Sequence, residues 1–136
     1  MGLAVPGSPP DRVIINPVAH TVLIVDDHPS FRATARMLLE LEGYEVVGEA
    51  PDGLSAVEEA RRLQPDLVLL DVNLPDIDGF DVAARITIDD GAPAVVLISS
   101  REGADFGPLI RRSGAKGFIA KADLSGSAIE ELLACG

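Results

Sequence analysis

The sequence predicts an open doubly wound α/β domain with a parallel sheet, and three observations predict it. From Thr21 onward, short β-branched or aliphatic runs alternate with segments of helical period. Three of the five apolar runs have no polar interruption, as expected of strands covered by helices on both faces. Each of several runs then stops on a polar residue, and in an open sheet of this kind those residues share the edge beyond the carboxyl ends of the strands. With 136 residues, 47% of them apolar, the chain has the size of one domain with a continuous core.

The opening "MGLAVPGSPPDRVIINPVAH" carries four prolines and two glycines, which disfavours regular structure, so residues 1–20 are expected to form a flexible tail and 21–136 the domain. Strand one is "VLIV" (22–25). In "PSFRATARMLLELEG", Phe31, Ala35, Leu38 and Leu39 share one helical face and Gly43 is the stop signal. Strand two is "YEVVGEA" (44–50). Asp52 can cap the helix through "GLSAVEEARRL", with Pro65 just past its end. Strand three is "LVLL" (67–70), and Asp78 precedes the helix "GFDVAARI" as Asp52 precedes the one before it. After strand four, "AVVLIS" (94–99), Gly107-Pro108 confines the fourth helix to a start at or near that proline. Strand five is "KGFIA" (116–120), and Ser125 is placed to cap the last helix, through "SAIEELLA".

Charge excludes several functions. With 22 acidic against 11 basic residues and a net charge of -11, the chain repels a phosphate backbone or an anionic membrane on average, so direct nucleic-acid or membrane binding is disfavoured. Arg61-Arg62 and Arg111-Arg112 read as solvated helix faces. The single cysteine, Cys135, excludes an intrachain disulfide framework, and no segment has the form of a signal peptide or the length of a membrane span, so a cytoplasmic protein is expected.

At the strand ends stand Asp26-Asp27, Asp71, Ser99-Ser100 and Lys121. Three carboxylates in close quarters repel one another unless a cation lies among them. Oxygen ligands with a need for charge neutralisation suit Mg²⁺. Such an ion beside an exposed carboxylate draws in a phosphoryl group and leaves the carboxylate in line to attack phosphorus, with Lys121 and Ser99 each able to reach a remaining phosphoryl oxygen. Asp71, ending an uninterrupted apolar run, is placed as that nucleophile.

"VDDHP" at 25–29, "LLDVNLPDIDG" at 69–79, "LISS" at 97–100 and "GAKGFIAKA" at 114–122 resemble, as a set, the receiver domain of bacterial two-component response regulators, from about Thr21 to Ala134. The resemblance implies a flavodoxin-like (βα)5 fold with a five-stranded parallel sheet in the order 2-1-3-4-5. It makes Asp71 the phosphoacceptor and Asp26 and Asp27 the metal acids, with Asp71 and the backbone carbonyl of Asn73 completing the protein ligands to Mg²⁺. Ser99 matches the switch hydroxyl, Lys121 the lysine that pairs with the phosphoryl group, and Phe118 the aromatic that turns inward when Ser99 moves. The implied partners are a sensor histidine kinase or a histidine phosphotransfer protein, and a downstream protein; a homodimer is left open. Catalysis would be confined to the chain's own phosphorylation and dephosphorylation.

Simpler places exist for some of these residues. An ordinary core position on strand five accounts for Phe118 equally well, and Ser99 can cap the next segment. His28, followed by Pro29 at a helix start, reads as loop packing, and His20 is assigned nothing. Lys121 precedes Ala122 where proline is common in the family, so the turn after strand five should lack a cis peptide. "VDDHP" with "KAD" resembles the subfamily whose receivers usually precede a helix-turn-helix of the LuxR/NarL type, which this sequence does not contain, so a stand-alone switch is expected. Gly107-Pro108 lies in the region that changes surface in the family. Asn73 and Arg101 flank the site. A phosphorelay shuttle would use the same residues. A pseudo-receiver, regulated by binding alone, is disfavoured by the complete acid, hydroxyl and lysine set. A phosphohydrolase of the haloacid-dehalogenase type needs a second acid where Asn73 stands, and a flavodoxin-like cofactor binder would not put Asp26 and Asp27 against a phosphate.

Overall fold

A computed structural model describes residues 20–100 and 106–135. Strands and helices alternate along the chain: β1 (Thr21–Val25), α1 (Pro29–Leu41), β2 (Glu45–Ala50), α2 (Gly53–Leu63), β3 (Leu67–Asp71), α3 (Gly79–Thr87), β4 (Ala94–Ser99), α4 (Gly107–Ser113), β5 (Gly117–Ala120) and α5 (Gly126–Cys135). The five strands form one parallel sheet in the order β2-β1-β3-β4-β5. Strand order reverses at β1, so the crevice between β1 and β3 is where such a sheet offers a ligand site. The expected tail, Arg101 and the loop containing it lie outside the described residues.

The sheet is buried on both faces because alternate residues of each strand feed two cores. Leu23, Val25, Val68, Leu70, Val95 and Leu97 pack under Ala56, Val57 and Ala60 of α2 and Val82, Ala83 and Ile86 of α3. On the other face, Val22, Ile24, Leu67, Leu69, Val96 and Ile98 meet Ala35 and Leu39 of α1 and Ile129 of α5. All five residues of β3 are buried, which is why its sequence shows no alternation. Burying one such leucine stabilises the fold by about 2 kcal/mol.

Local chemistry sets the element ends. Asp52 accepts from the Ser55 amide at 2.8 Å and Asp78 from the Phe80 amide at 2.7 Å, while Ser125 Oγ accepts from the Ala128 amide at 3.0 Å, so all three expected caps form. The fourth helix starts at Gly107 with Pro108 in its first turn, and it stops at Gly114, whose φ of 81° places it in the left-handed region. A Cβ at Gly114 would also fall 2.4 Å from Thr87 Oγ1, so α4 can close onto α3 only through glycine. After β5 the chain turns through a 3₁₀ segment, Lys121–Asp123, with no cis peptide among the described residues. Strand two begins at Glu45 and not at Tyr44, because the Tyr44 amide is taken by the Leu39 carbonyl at the end of α1.

Candidate functional site

The ends of β1, β3 and β5 bring together the acids and the lysine singled out in the sequence. The Asp26 amide donates to the Ala50 carbonyl at 3.0 Å, so the ladder between β1 and β2 runs one residue past the strand and fixes Asp26 over the sheet edge. On the far side of the crevice, the Val72 amide donates to the Ile98 carbonyl at 2.9 Å and extends β3 in the same way, holding Asp71 at its mouth. Both carboxylates are enclosed, with side-chain exposures of 0% for Asp26 and 4% for Asp71. The Lys121 ammonium lies between them, 2.5 Å from Asp26 Oδ2 and 3.3 Å from Asp71 Oδ2. It also stands 4.4 Å from the centroid of the Phe31 ring, which shields the pair from one side.

Neighbours drive the two buried acids in opposite directions. Burial pushes the Asp26 carboxyl up, but the hydrogen bond from Lys121 and the 2.8 Å bond from the His28 amide more than offset it and hold Asp26 below the usual carboxylate value. Asp71 is raised, chiefly by burial; the Asn73 amide, 3.0 Å from Asp71 Oδ1, opposes this, while the Asp26 charge adds to it. For Lys121, burial works against its charge and the two carboxylates outweigh burial, so it is raised. An ionised Asp26 bound to a charged lysine therefore stands beside an Asp71 that is electrostatically uncomfortable.

Asp27 is at the rim, and His28 departs from its expected place in loop packing. Its ring is exposed, and Nδ1 lies 3.0 Å from Asp26 Oδ1 and 3.1 Å from Asp27 Oδ1. The cause is local: Pro29 opens α1 with no side-chain cap on its N-terminus, and the preceding residue takes an extended backbone that swings the ring over the acids. One ligand atom from each of Asp26, Asp27, His28 and Asp71 lies within 4.8 Å of the others. Three carboxylates against one ammonium leave a negative excess, and a donor set this rich in oxygen fits a hard divalent cation.

Ser99 is fully buried at the end of β4, one residue beyond the Ile98 that pairs with Asp71 in the ladder. Phe118, on β5, is half-buried in the core under α2 and α3, and its ring meets Phe106 edge-on at 5.6 Å, as Phe106 meets Phe80 at 5.4 Å. Sequence reasoning missed two supports. The Arg32 guanidinium donates to the Asp26 carbonyl and, at 2.9 Å, to Glu49 Oε1, and Arg36 holds the other Glu49 oxygen at 2.8 Å. Asp76, in the loop after β3, accepts from the Gly53 and Leu54 amides at 2.7 and 2.9 Å and so ties that loop to the N-terminus of α2. The Asp76 side chain reaches across 23 residues, a span no local pattern marks.

The family model of the response regulator receiver domain matches residues 22–132. The chain belongs to that family. This receiver is 41% identical over 104 residues to the transcriptional regulatory protein PdtaR of Mycobacterium tuberculosis, covering 76% of this chain and 50% of that one. It is 43% identical over 102 residues to the nitrate/nitrite response regulator protein NarP of Escherichia coli, covering 74% and 47%. Among solved structures, a LuxR-family two-component response regulator from Aurantimonas sp. SI85-9A1 superposes with a TM-score of 0.78 at 33% identity, covering 87% of each chain. The receiver spans about half the length of the curated relatives it matches. No helix among the described residues is long and apolar enough to cross a membrane.

Proposed function

We propose that this receiver is a phosphoacceptor switch: Asp71 takes a phosphoryl group from the phosphohistidine of a sensor histidine kinase or a histidine phosphotransfer protein. The observation that supports it most is the Lys121 ammonium shared by Asp26 and Asp71 in a crevice whose rim carries Asp27. An Asp71 carboxylate oxygen forms the bond to phosphorus as the P–N bond to the donor imidazole breaks, and the imidazole leaves with its electron pair and is then protonated. Mg²⁺, held by Asp26, Asp27, Asp71 and the Asn73 carbonyl, would neutralise the charge on the equatorial oxygens. Lys121 is positioned to exchange its contact with Asp71 for one with a phosphoryl oxygen. The Asn73 amide orients the nucleophile, and the ladder bonds beside Asp26 and Asp71 keep both carboxylates from drifting.

Output follows from a coupled displacement: Ser99 moves to the phosphoryl group, Phe118 turns into the space it leaves, and the face formed by α4, β5 and α5 changes for a protein partner. The domain corresponds to residues 21–136. Chemistry is limited to its own phosphorylation and hydrolysis. Intact mass after incubation with a small phosphodonor tests the proposal. One phosphoryl adduct is expected in the presence of Mg²⁺, with none after chelation and none in Asp71→Asn. An adduct that persists in Asp71→Asn would refute the assignment.

A further inference from the structure

The backbone of Asp26 is held from both sides by the end of the outermost strand. Its amide donates to the Ala50 carbonyl at 3.0 Å, and its carbonyl accepts from the Arg32 guanidinium, whose Nε donates to Glu49 Oε1 at 2.9 Å. Glu49 and Ala50 are the last two residues of β2, at the edge of the sheet. Arg36 binds the second Glu49 oxygen at 2.8 Å, so the carboxylate that aims Arg32 is itself fixed in rotation. A guanidinium can bridge a carbonyl and a carboxylate at once because its donors form a rigid fork; an ammonium has no such fork. Electrostatics alone would make Arg32 a poor neighbour for a cation, since a permanent positive charge beside the Asp26 peptide repels any ion held by Asp26 and Asp27. Its benefit to such a site is therefore geometric.

We infer that Arg32 is a positioning residue for the metal acids, fixing the peptide between Asp26 and Asp27 through its bond to the Asp26 carbonyl, and that Glu49 acts through Arg32. The outer strand thereby governs the crevice between β1 and β3. The inference rests on the proposed Mg²⁺ site and adds to it the residues that preorganise it. Groups that orient metal ligands from behind are commonly worth about 10–100-fold in metal affinity. Position and charge predict opposite signs here: losing the guanidinium weakens Mg²⁺ binding if Arg32 acts by holding the peptide, and tightens it if its charge is what matters.

Calorimetric titration of the full chain with Mg²⁺ separates the two, using wild type, Arg32→Met, Arg32→Lys, Glu49→Gln, the double variant Arg32→Met/Glu49→Gln and, as a control for a lost arginine–glutamate pair, Arg62→Met, whose partner Glu59 lies with it on α2. The expected result is Mg²⁺ affinity about tenfold or more weaker in Arg32→Met, at least as weak in Arg32→Lys, which keeps the repelling charge, and unchanged in Arg62→Met. Glu49→Gln should weaken binding less, and should add nothing once Arg32 is gone. In the metal-free protein the Asp26 carbonyl carbon should move upfield in Arg32→Met, as a carbonyl does on losing a donor. The Mg²⁺ concentration for half-maximal phosphorylation should carry the loss, with the rate at saturating Mg²⁺ within about threefold of wild type. Circular dichroism verifies each fold, and Arg32→Lys decides if Arg32→Met does not fold. Mg²⁺ binding that is unchanged or tighter in folded Arg32 variants would overturn the inference alone. Wild type that binds no Mg²⁺ would overturn it together with the metal site on which it rests.

Discussion

Asp71 and Lys121, side by side in the crevice, act on stability in opposite directions. Because the folded-state pKa of Asp71 is raised, the folded protein binds more protons at this group than the unfolded chain does, and stability falls as pH rises from the unfolded value toward the folded one. Asp71→Asn is therefore expected to raise stability at pH 7 without Mg²⁺ by about 1 kcal/mol while abolishing phosphorylation. The gain should disappear in urea titrations run below the unfolded carboxyl value of 3.8, where both side chains are neutral. Lys121→Met acts oppositely, stranding a fully buried Asp26 without its cation, and should cost about 3 kcal/mol at neutral pH. Added Mg²⁺ would restore part of that loss if Asp26 and Asp27 hold it. Gly79→Ala would place a Cβ 2.4 Å from the Asp71 carbonyl oxygen and 2.5 Å from Val72 Cα, so the loop must shift. Weakened Mg²⁺ binding by calorimetry is the expected sign.

At the level of elements, what the sequence made legible was local and what it hid was long-range. Asp52, Asp78 and Ser125 could be placed as caps because each bonds an amide two or three residues away, and Gly107-Pro108 dated the start of α4 for the same reason. The apolar runs placed the strands, and strand ends placed Asp26, Asp71 and Lys121 on one edge. Nothing local joins Asp76 to Gly53 or Arg32 to Glu49, since those pairs form only when the sheet has assembled. Pro29 after His28 argues for a packed loop, yet the exposed ring lies over the adjoining Asp26-Asp27, where only the folded backbone brings Nδ1 within 3.0 Å of Asp26 Oδ1. Asp76→Ala removes two acceptors from the N-terminus of α2, and hydrogen exchange of the Gly53 and Leu54 amides should accelerate while the β1 and β3 amides keep their protection.

For the whole molecule, acid should unfold this receiver in a way set by carboxyl groups shifted in opposite directions. Glu49, held below the usual glutamate value first by Arg36 and then by Arg32 against burial, contributes stability that is present above its unfolded value of 4.5 and lost as pH falls through the lower folded value. Asp26 behaves likewise, and Asp71 partly cancels it. Glu49→Gln should therefore flatten the acid limb of a stability–pH curve followed by circular dichroism. The net charge of -11 adds a general repulsion, so salt should raise the urea midpoint modestly at pH 7.

The row of rings from Phe80 through Phe106 to Phe118 has a thermal meaning. α4 is seven residues long, too short to persist by its own hydrogen bonds, and its entry is fastened sideways to α3 and β5 by two edge-to-face contacts. Warming should thus open the molecule like a garment at its weakest button, with α4 lifting while the five-stranded sheet stays closed.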